Sequence, residues 1–168
     1  MGRLISLNAR QAMNASATDD GPVMLIKITH ATLPAPVYLS SDPTMMFAMD
    51  PLRYGTRHQG QDYDFVIMGA IMPDDEKDTP PKTTLAFENV APDMAAPLRV
   101  ISSPARIDLT VVMALSPDVV EARYTNLRGV KASYDADAVS LDISREPYTS
   151  EPWPSGRFSP ARFPGLFP

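Results

Sequence analysis

Apolar and polar residues alternate with a period of two over much of this chain, the pattern of strands buried on one face. Residues 105–115 (ARIDLTVVMAL) carry it most cleanly, with Ile107, Leu109, Val111, Met113 and Leu115 alternating with Asp108, Thr110, Val112 and Ala114. Val23 to Thr29 puts Met24, Ile26 and Ile28 on one face. The PAP turn at 34–36 then leads into a short strand, Val37 to Ser41, which predicts a hairpin. Tyr63 to Met72 reads as a strand with Tyr63, Phe65 and Ile67 on one face and a bulge near Gly69. Further strands are predicted at Thr83–Asn89, at Val119–Leu127 after a turn at 116–118, from Val130 after a break at Arg128-Gly129, and at Val139–Ser144 after a turn at 134–137.

Three stretches depart from that period. Residues 3 to 16 place Leu4, Ile5, Ala9, Ala12 and Met13 near helical spacing, and residues 92 to 101 predict a second short helix limited by Pro97. Residues 42–61 mix methionines, two Asp-Pro steps and a glycine, so short extended pieces joined by turns are expected there. The acidic, proline-bearing PDDEKDTPPK at 73–82 is the clearest loop. The sum is seven or eight strands with short connections. It predicts a mainly β fold, an antiparallel β-sandwich or partly closed barrel, with a short N-terminal helix and one short internal helix. The organisation read from this is an N-terminal helix or arm at 1–20, a β domain at 21–146 and an extended C-terminal arm at 147–168.

Composition narrows the function more than the fold. A chain of 168 residues is long enough for one substantial core. Its net charge of −5 argues against nucleic-acid recognition and against an anionic membrane surface. No apolar run approaches the length of a membrane-spanning helix. The first residues have a broken apolar stretch that does not read as a secretory signal, and Gly2 with Ser6 meets only the loose acylation pattern. The absence of cysteine removes disulfides, thiolate nucleophiles and thiolate metal sites together.

The chain carries no nucleophile elbow, P-loop, dinucleotide fingerprint or H-E-x-x-H motif. Its two histidines, His30 at a strand end and His58 in a predicted loop, read as solvated or hydrogen-bonded. Asp74, Asp75, Glu76 and Asp78 offer oxygens for a hard cation but lack the calcium-loop glycine and distal glutamate, so they read as a charged tip or inter-subunit loop. Asp62 and Asp64 share one strand face, as a glycosidase pair would, without other marks of a sugar cleft. No metal and no cofactor are expected. Met45, Met46 and Met49 cluster in the irregular region, where they either fill a core or form a surface that repacks against a partner.

The last residues, PYTSEPWPSGRFSPARFPGLFP, combine prolines with Tyr148, Trp153, Phe158, Phe163 and Phe167. Proline density forbids a helix there, while the rings need a surface to rest on. That surface is either the chain's own β domain or a neighbouring subunit, with Arg157 and Arg162 able to add guanidinium forks. The ending EPWPSGRFSPARFPGLF resembles the C-terminal signature of a family of small minor tail proteins of long-tailed bacteriophages, a phage domain of unknown function. PDDEKDTPPKTTLAFENV, SSPARIDLTVVMALSPDVVEA and YDADAVSLDISREPYTSEPWP resemble its acidic loop and strand, its next hairpin, and its last strand and exit. The resemblance runs in order over about residues 20 to 167 and is weakest over 43–60.

The resemblance implies a structural protein of the distal virion tail, assembled in the host cytoplasm, and no catalytic residues to carry over. It implies a ring of identical subunits, a hexamer or else a trimer, joining the tail tube to the tail-tip hub. On that reading Trp153, Arg157, Phe158, Arg162, Phe163, Phe167, Asp74, Asp75, Glu76, Met45 and Met46 are the expected protein contacts. The alternatives are a soluble tail-assembly factor absent from the finished virion, and a small cell-wall hydrolase.

Overall fold

The computed structural model describes residues 5–70, 82–88, 103–134 and 138–144, together with Arg162 and Gly165. The acidic segment 73–82 except Lys82, the predicted helix at 92–101, and the arm at 147–168 apart from those two positions lie outside the described residues.

Helix α1 (Leu7–Asn14) starts where the sequence supplies a cap. Ser6 has extended backbone angles, and its hydroxyl accepts the Ala9 N–H at 3.1 Å, satisfying one of the free donors of the first turn. The Ser6 N–H in turn donates to Glu121 Oε2 at 2.8 Å, tying the helix start to the β domain. Only Ala9 is buried, while Leu7 and Met13 stay exposed.

The rest is a single ten-stranded sheet among the described residues. Its strands are β1 (Pro22–Thr29), β2 (Val37–Ser40), β3 (Met45–Met49), β4 (Leu52–His58), β5 (Gln61–Phe65), β6 (Ile67–Ala70), β7 (Lys82–Glu88), β8 (Arg106–Met113), β9 (Ser116–Tyr134) and β10 (Ala138–Ser144). They lie in the order β3-β4-β5-β2-β1-β8-β9-β10-β7-β6. Every neighbouring pair is antiparallel except β2 with β5.

One residue explains why this sheet curls. β5 pairs with β2, yet β6, which follows after Val66 alone, pairs with β7 at the far edge. Val66 sits at that seam. Its N–H donates to the Ser40 carbonyl at 2.9 Å, while the next residue opens the ladder with β7. A chain that changes partner within one residue must bring both edges of β2-β1-β8-β9-β10-β7-β6 together, so the sheet bends into a partly closed barrel. Inside lies the main core: Ile26, Ile28, Leu39, Leu85, Phe87, Ile107, Leu109, Leu127 and Ile143, with Val66 at the seam. At ~25 cal/mol per Å² of apolar surface, such fully buried side chains each contribute about 1.5–3 kcal/mol.

Bulges keep the inward face continuous. Ile107 faces Leu127 and Leu109 faces Tyr124, so β9 places two residues, Thr125 and Asn126, opposite Asp108 alone. Asn126 absorbs the extra residue with φ 60°, in the left-handed region that Asn tolerates, and Asp108 Oδ1 accepts its N–H at 3.0 Å. Tyr124 and Leu127, three apart, thereby both become buried.

Several expectations need correction. The break expected at Arg128-Gly129 is absent, and β9 runs unbroken over 19 residues. Gly129 sits in a bulge opposite Ile143, with Leu141 Cδ1 only 3.3 Å from where a Cβ would stand, so its role there is close packing. The turn expected at 116–118 is at Ala114-Leu115. In the Tyr63–Met72 run the interruption falls at Val66 instead of Gly69. Tyr63 and Val66 are buried, whereas Ile67 is exposed, because the partner switch changes which face points inward. The expected count of seven or eight strands becomes ten: 42–61 supplies a bulged hairpin and the Tyr63 run divides in two, while the strands expected at 119–127 and from Val130 are one.

Candidate functional site

Strands β3, β4 and β5 form a wing that leaves the barrel at β2 and folds back over its outer wall. The Gln59-Gly60 turn, with φ 49° and 79°, gives the two-residue hairpin that joins β4 to β5. Its tip is pinned to the β8–β9 turn. His58 Nδ1 meets the Pro117 carbonyl at 2.6 Å, which makes Nδ1 the protonated donor, and the Gln59 N–H donates to Asp118 Oδ1 at 2.6 Å. His58, expected in a loop, therefore ends a strand and is buried. His30 is also held, by Thr32 Oγ1 at 2.7 Å and Ser103 Oγ at 2.6 Å.

The two faces of the wing differ sharply. The outer face carries Arg53 with Asp64 and Arg57 with Asp62, each closing to 2.6 Å. Phe47 lies on this side, 5.7 Å below the Arg57 guanidinium. It packs over Gly55, where any Cβ would overlap the Tyr63 carbonyl oxygen and come 2.9 Å from Phe47 Cε2. The hydrogen bond from Arg57 holds the Asp62 carboxyl below its ordinary pKa against the opposing effect of desolvation, and the charges of Arg57 and Arg53 add smaller lowering contributions. Asp62 and Asp64 are thus separately ion-paired carboxylates.

The inner face begins as a packed interface. Tyr63 lies against Val23, Leu25 and Val112 of the barrel wall and meets Tyr38 edge-on at 5.0 Å between ring centroids. Burial pushes the Tyr63 phenol up, assisted by Tyr38 and partly offset by Arg123. Ser40 and Thr56 bridge wall and wing by a buried hydroxyl pair at 2.8 Å. Beside this contact a groove of about 300 Å³ opens, lined by Lys27, Tyr38, His58, Tyr63, Asp108 and Arg123 among others. The Lys27 ammonium rests 5.8 Å from the Tyr38 ring centre. Asp108 has one oxygen committed to the Asn126 N–H.

Further along the same inner face the cover ends. Thr56 is 4% exposed, Tyr54 38% and Leu52 61%, so β4 passes from beneath the wall into solvent within four residues. The β3 bulge at Phe47 puts Met46 opposite Tyr54 and Met49 opposite Leu52 on this face, at 48% and 78% exposure. Met46, Met49, Leu52 and Tyr54 therefore form an uncharged overhang, the uncovered continuation of a face that is buried nearer the barrel. β3 is also a sheet edge, and Met45–Met49 contains none of the charges or prolines that usually protect one.

Of the residues expected to make protein contacts, Met45 and Met46 are described and both are exposed, but they point to opposite faces of the wing. Arg162 is exposed in a turn. Asp74, Asp75, Glu76, Trp153, Arg157, Phe158, Phe163 and Phe167 lie outside the described residues. Leu52 and Tyr54 were missed, although the alternation Leu52-Tyr54-Thr56-His58 in LRYGTRH was a visible signal. Among the described residues no group of three His, Asp or Glu side chains lies close enough to hold a metal ion, and no helix is long and apolar enough to cross a membrane. No family model matches the chain, and no curated protein matches it.

Proposed function

We propose that this chain is a non-enzymatic structural subunit of a bacteriophage tail tip, and that the wing overhang is one of its assembly contacts. The observation that carries the reading is the continuity of the wing's inner face. Four apolar side chains extend a buried packing layer into solvent, the arrangement of an interface waiting for its second partner. The C-terminal resemblance to small phage tail proteins supplies the context. The ion pairing of Asp62 and Asp64 weighs against the hydrolase alternative.

A soluble tail-assembly factor would use the same surface transiently, so the distinguishing question is retention. Mass spectrometry of purified particles from the encoding phage is expected to recover this chain at a constant ratio to the tail-tube protein. Its absence from intact particles, with presence in the infected-cell extract, would replace the structural reading with the assembly-factor one.

A further inference from the structure

The groove between the wing tip and the barrel wall is built from the strand alternation. The outward positions of β1 run Val23, Leu25, Lys27, and those of β8 run Val112, Thr110, Asp108. Each row is apolar where it packs under Tyr63 and becomes charged beyond it. Tyr38 stands opposite Lys27 in the β1–β2 ladder, and Arg123 stands opposite Thr110 in the β8–β9 ladder. Four strands therefore bring Tyr38, Lys27, Asp108 and Arg123 to one stretch of wall, and the hairpin tip closes over it with His58 and Tyr63. The tip is held by the bonds of His58 to Pro117 and of Gln59 to Asp118, so the groove is formed before any ligand arrives.

Its polar groups are uncommitted in a particular way. Among the described residues neither Lys27 nor Arg123 has a carboxylate partner, and the Lys27 ammonium rests only against the Tyr38 ring. Asp108 gives one oxygen to the Asn126 N–H, which leaves the other for a ligand. His58 is 5% exposed and donates from Nδ1, so its Nε2 is an acceptor, and that atom has no partner among the described residues. The charges of Arg123 and Asp108 both act on the Tyr63 phenol, so the cation and the acceptor stand around one point. Two cations alone would suit a bare anion, and acceptors alone a neutral sugar. Both together match a ligand that carries a negative group and hydroxyls. A volume of about 300 Å³ is small for a ligand pocket and fits a molecule of monosaccharide size.

We infer that this groove binds a small hydroxylated anion, a sugar acid or a polyol phosphate. Lys27 and Arg123 hold the negative group, while His58 Nε2 and the free Asp108 oxygen accept its hydroxyls. Carboxylate and phosphate share this chemistry, and the test separates them. The groove lies at the tip of the hairpin, whereas Met49 and Leu52 lie at the other end of β4, so the inference does not rest on the assembly reading.

Titration calorimetry of the full chain is the test. Glucuronate and glycerophosphate are the probes, glucose and glycerol their uncharged counterparts, and sulfate the anion without hydroxyls. Wild type is expected to bind at least one probe more tightly than its uncharged counterpart and more tightly than sulfate. Binding of glucuronate alone assigns a carboxylate ligand and binding of glycerophosphate alone a phosphate ligand, and either supports the site. Arg123→Gln and Lys27→Gln are each expected to weaken binding about tenfold or more, the effect of losing one charge-assisted hydrogen bond. Arg10→Gln, which removes an exposed cation on α1, is expected to leave it unchanged. Thermal melting checks that the groove variants are folded, and if one of them melts early the other still decides. No heat with either probe, equal affinity for glucose or sulfate, or unchanged affinity in the folded groove variants would overturn the inference. None of these results bears on whether the chain is found in virions, so the two readings fail separately.

Discussion

Gly55→Ala is the sharpest probe of how the wing is built. The added methyl would overlap the Tyr63 carbonyl oxygen and press on Phe47 Cε2 at 2.9 Å. The Phe47 ring can swing away, but the carbonyl belongs to the β4–β5 ladder and moves only if the two strands separate. Overpacking of this kind costs about 1–3 kcal/mol, and a backbone obstacle puts this site at the upper end. For a chain of this size, about 3 kcal/mol lowers the melting midpoint by roughly 6–12 °C. Gly69→Ala is the matched control, a strand glycine with nothing within 4 Å of the new methyl. It is expected to be neutral or up to about 1 kcal/mol more stable, by restricting the unfolded chain. Thermal unfolding followed by far-ultraviolet circular dichroism compares the two. Equal midpoints for Gly55→Ala and Gly69→Ala would refute the close approach of β4 to β5, and with it the position of the overhang.

Three further outcomes follow from individual side chains. Tyr63→Ala removes the ring that seats the wing on the wall and is expected to cost about 3–5 kcal/mol in chemical denaturation. Asn126→Val forces a β-branched residue into the left-handed conformation at the β9 bulge and is expected to cost about 1–2 kcal/mol or more, while Asn126→Gly is tolerated. Because the folded-state pKa of Asp62 is depressed, its ion pair stabilises the fold above the ordinary aspartate range. That contribution is lost as pH falls through the folded value. Asp62→Asn should therefore flatten the acid side of the stability profile, and a carboxyl titration by NMR should place Asp62 below an ordinary aspartate.

Strand existence was legible wherever a period of two ran along the inward face. β1, β7, β8 and β10 follow from the spacing of residues such as Ile26, Ile28, Ile107 and Leu109. The closure of the sheet was not legible, because it depends on Val66, one residue in an apolar run whose pattern does not reveal a change of partner. The long β9 was hidden by Arg128-Gly129, a pair that reads as a turn in isolation but packs Gly129 against Leu141. The candidate site was half visible. The methionine cluster drew attention to β3, but the bulge at Phe47, which sends Met46 and Met49 to the same face, is a property of the pairing with β4. Leu52 and Tyr54 lay in a stretch read as short extended pieces joined by turns, and the sequence does not show where the barrel wall stops covering them.

The most direct test of the central claim is the solution mass of the full chain, by light scattering after size exclusion, for wild type and for Met49→Lys with Leu52→Lys. An uncovered assembly face predicts that wild type elutes as a multiple of 18.4 kDa and that the variant falls to a single chain with an unchanged melting midpoint. Equal masses for the two proteins would contradict it.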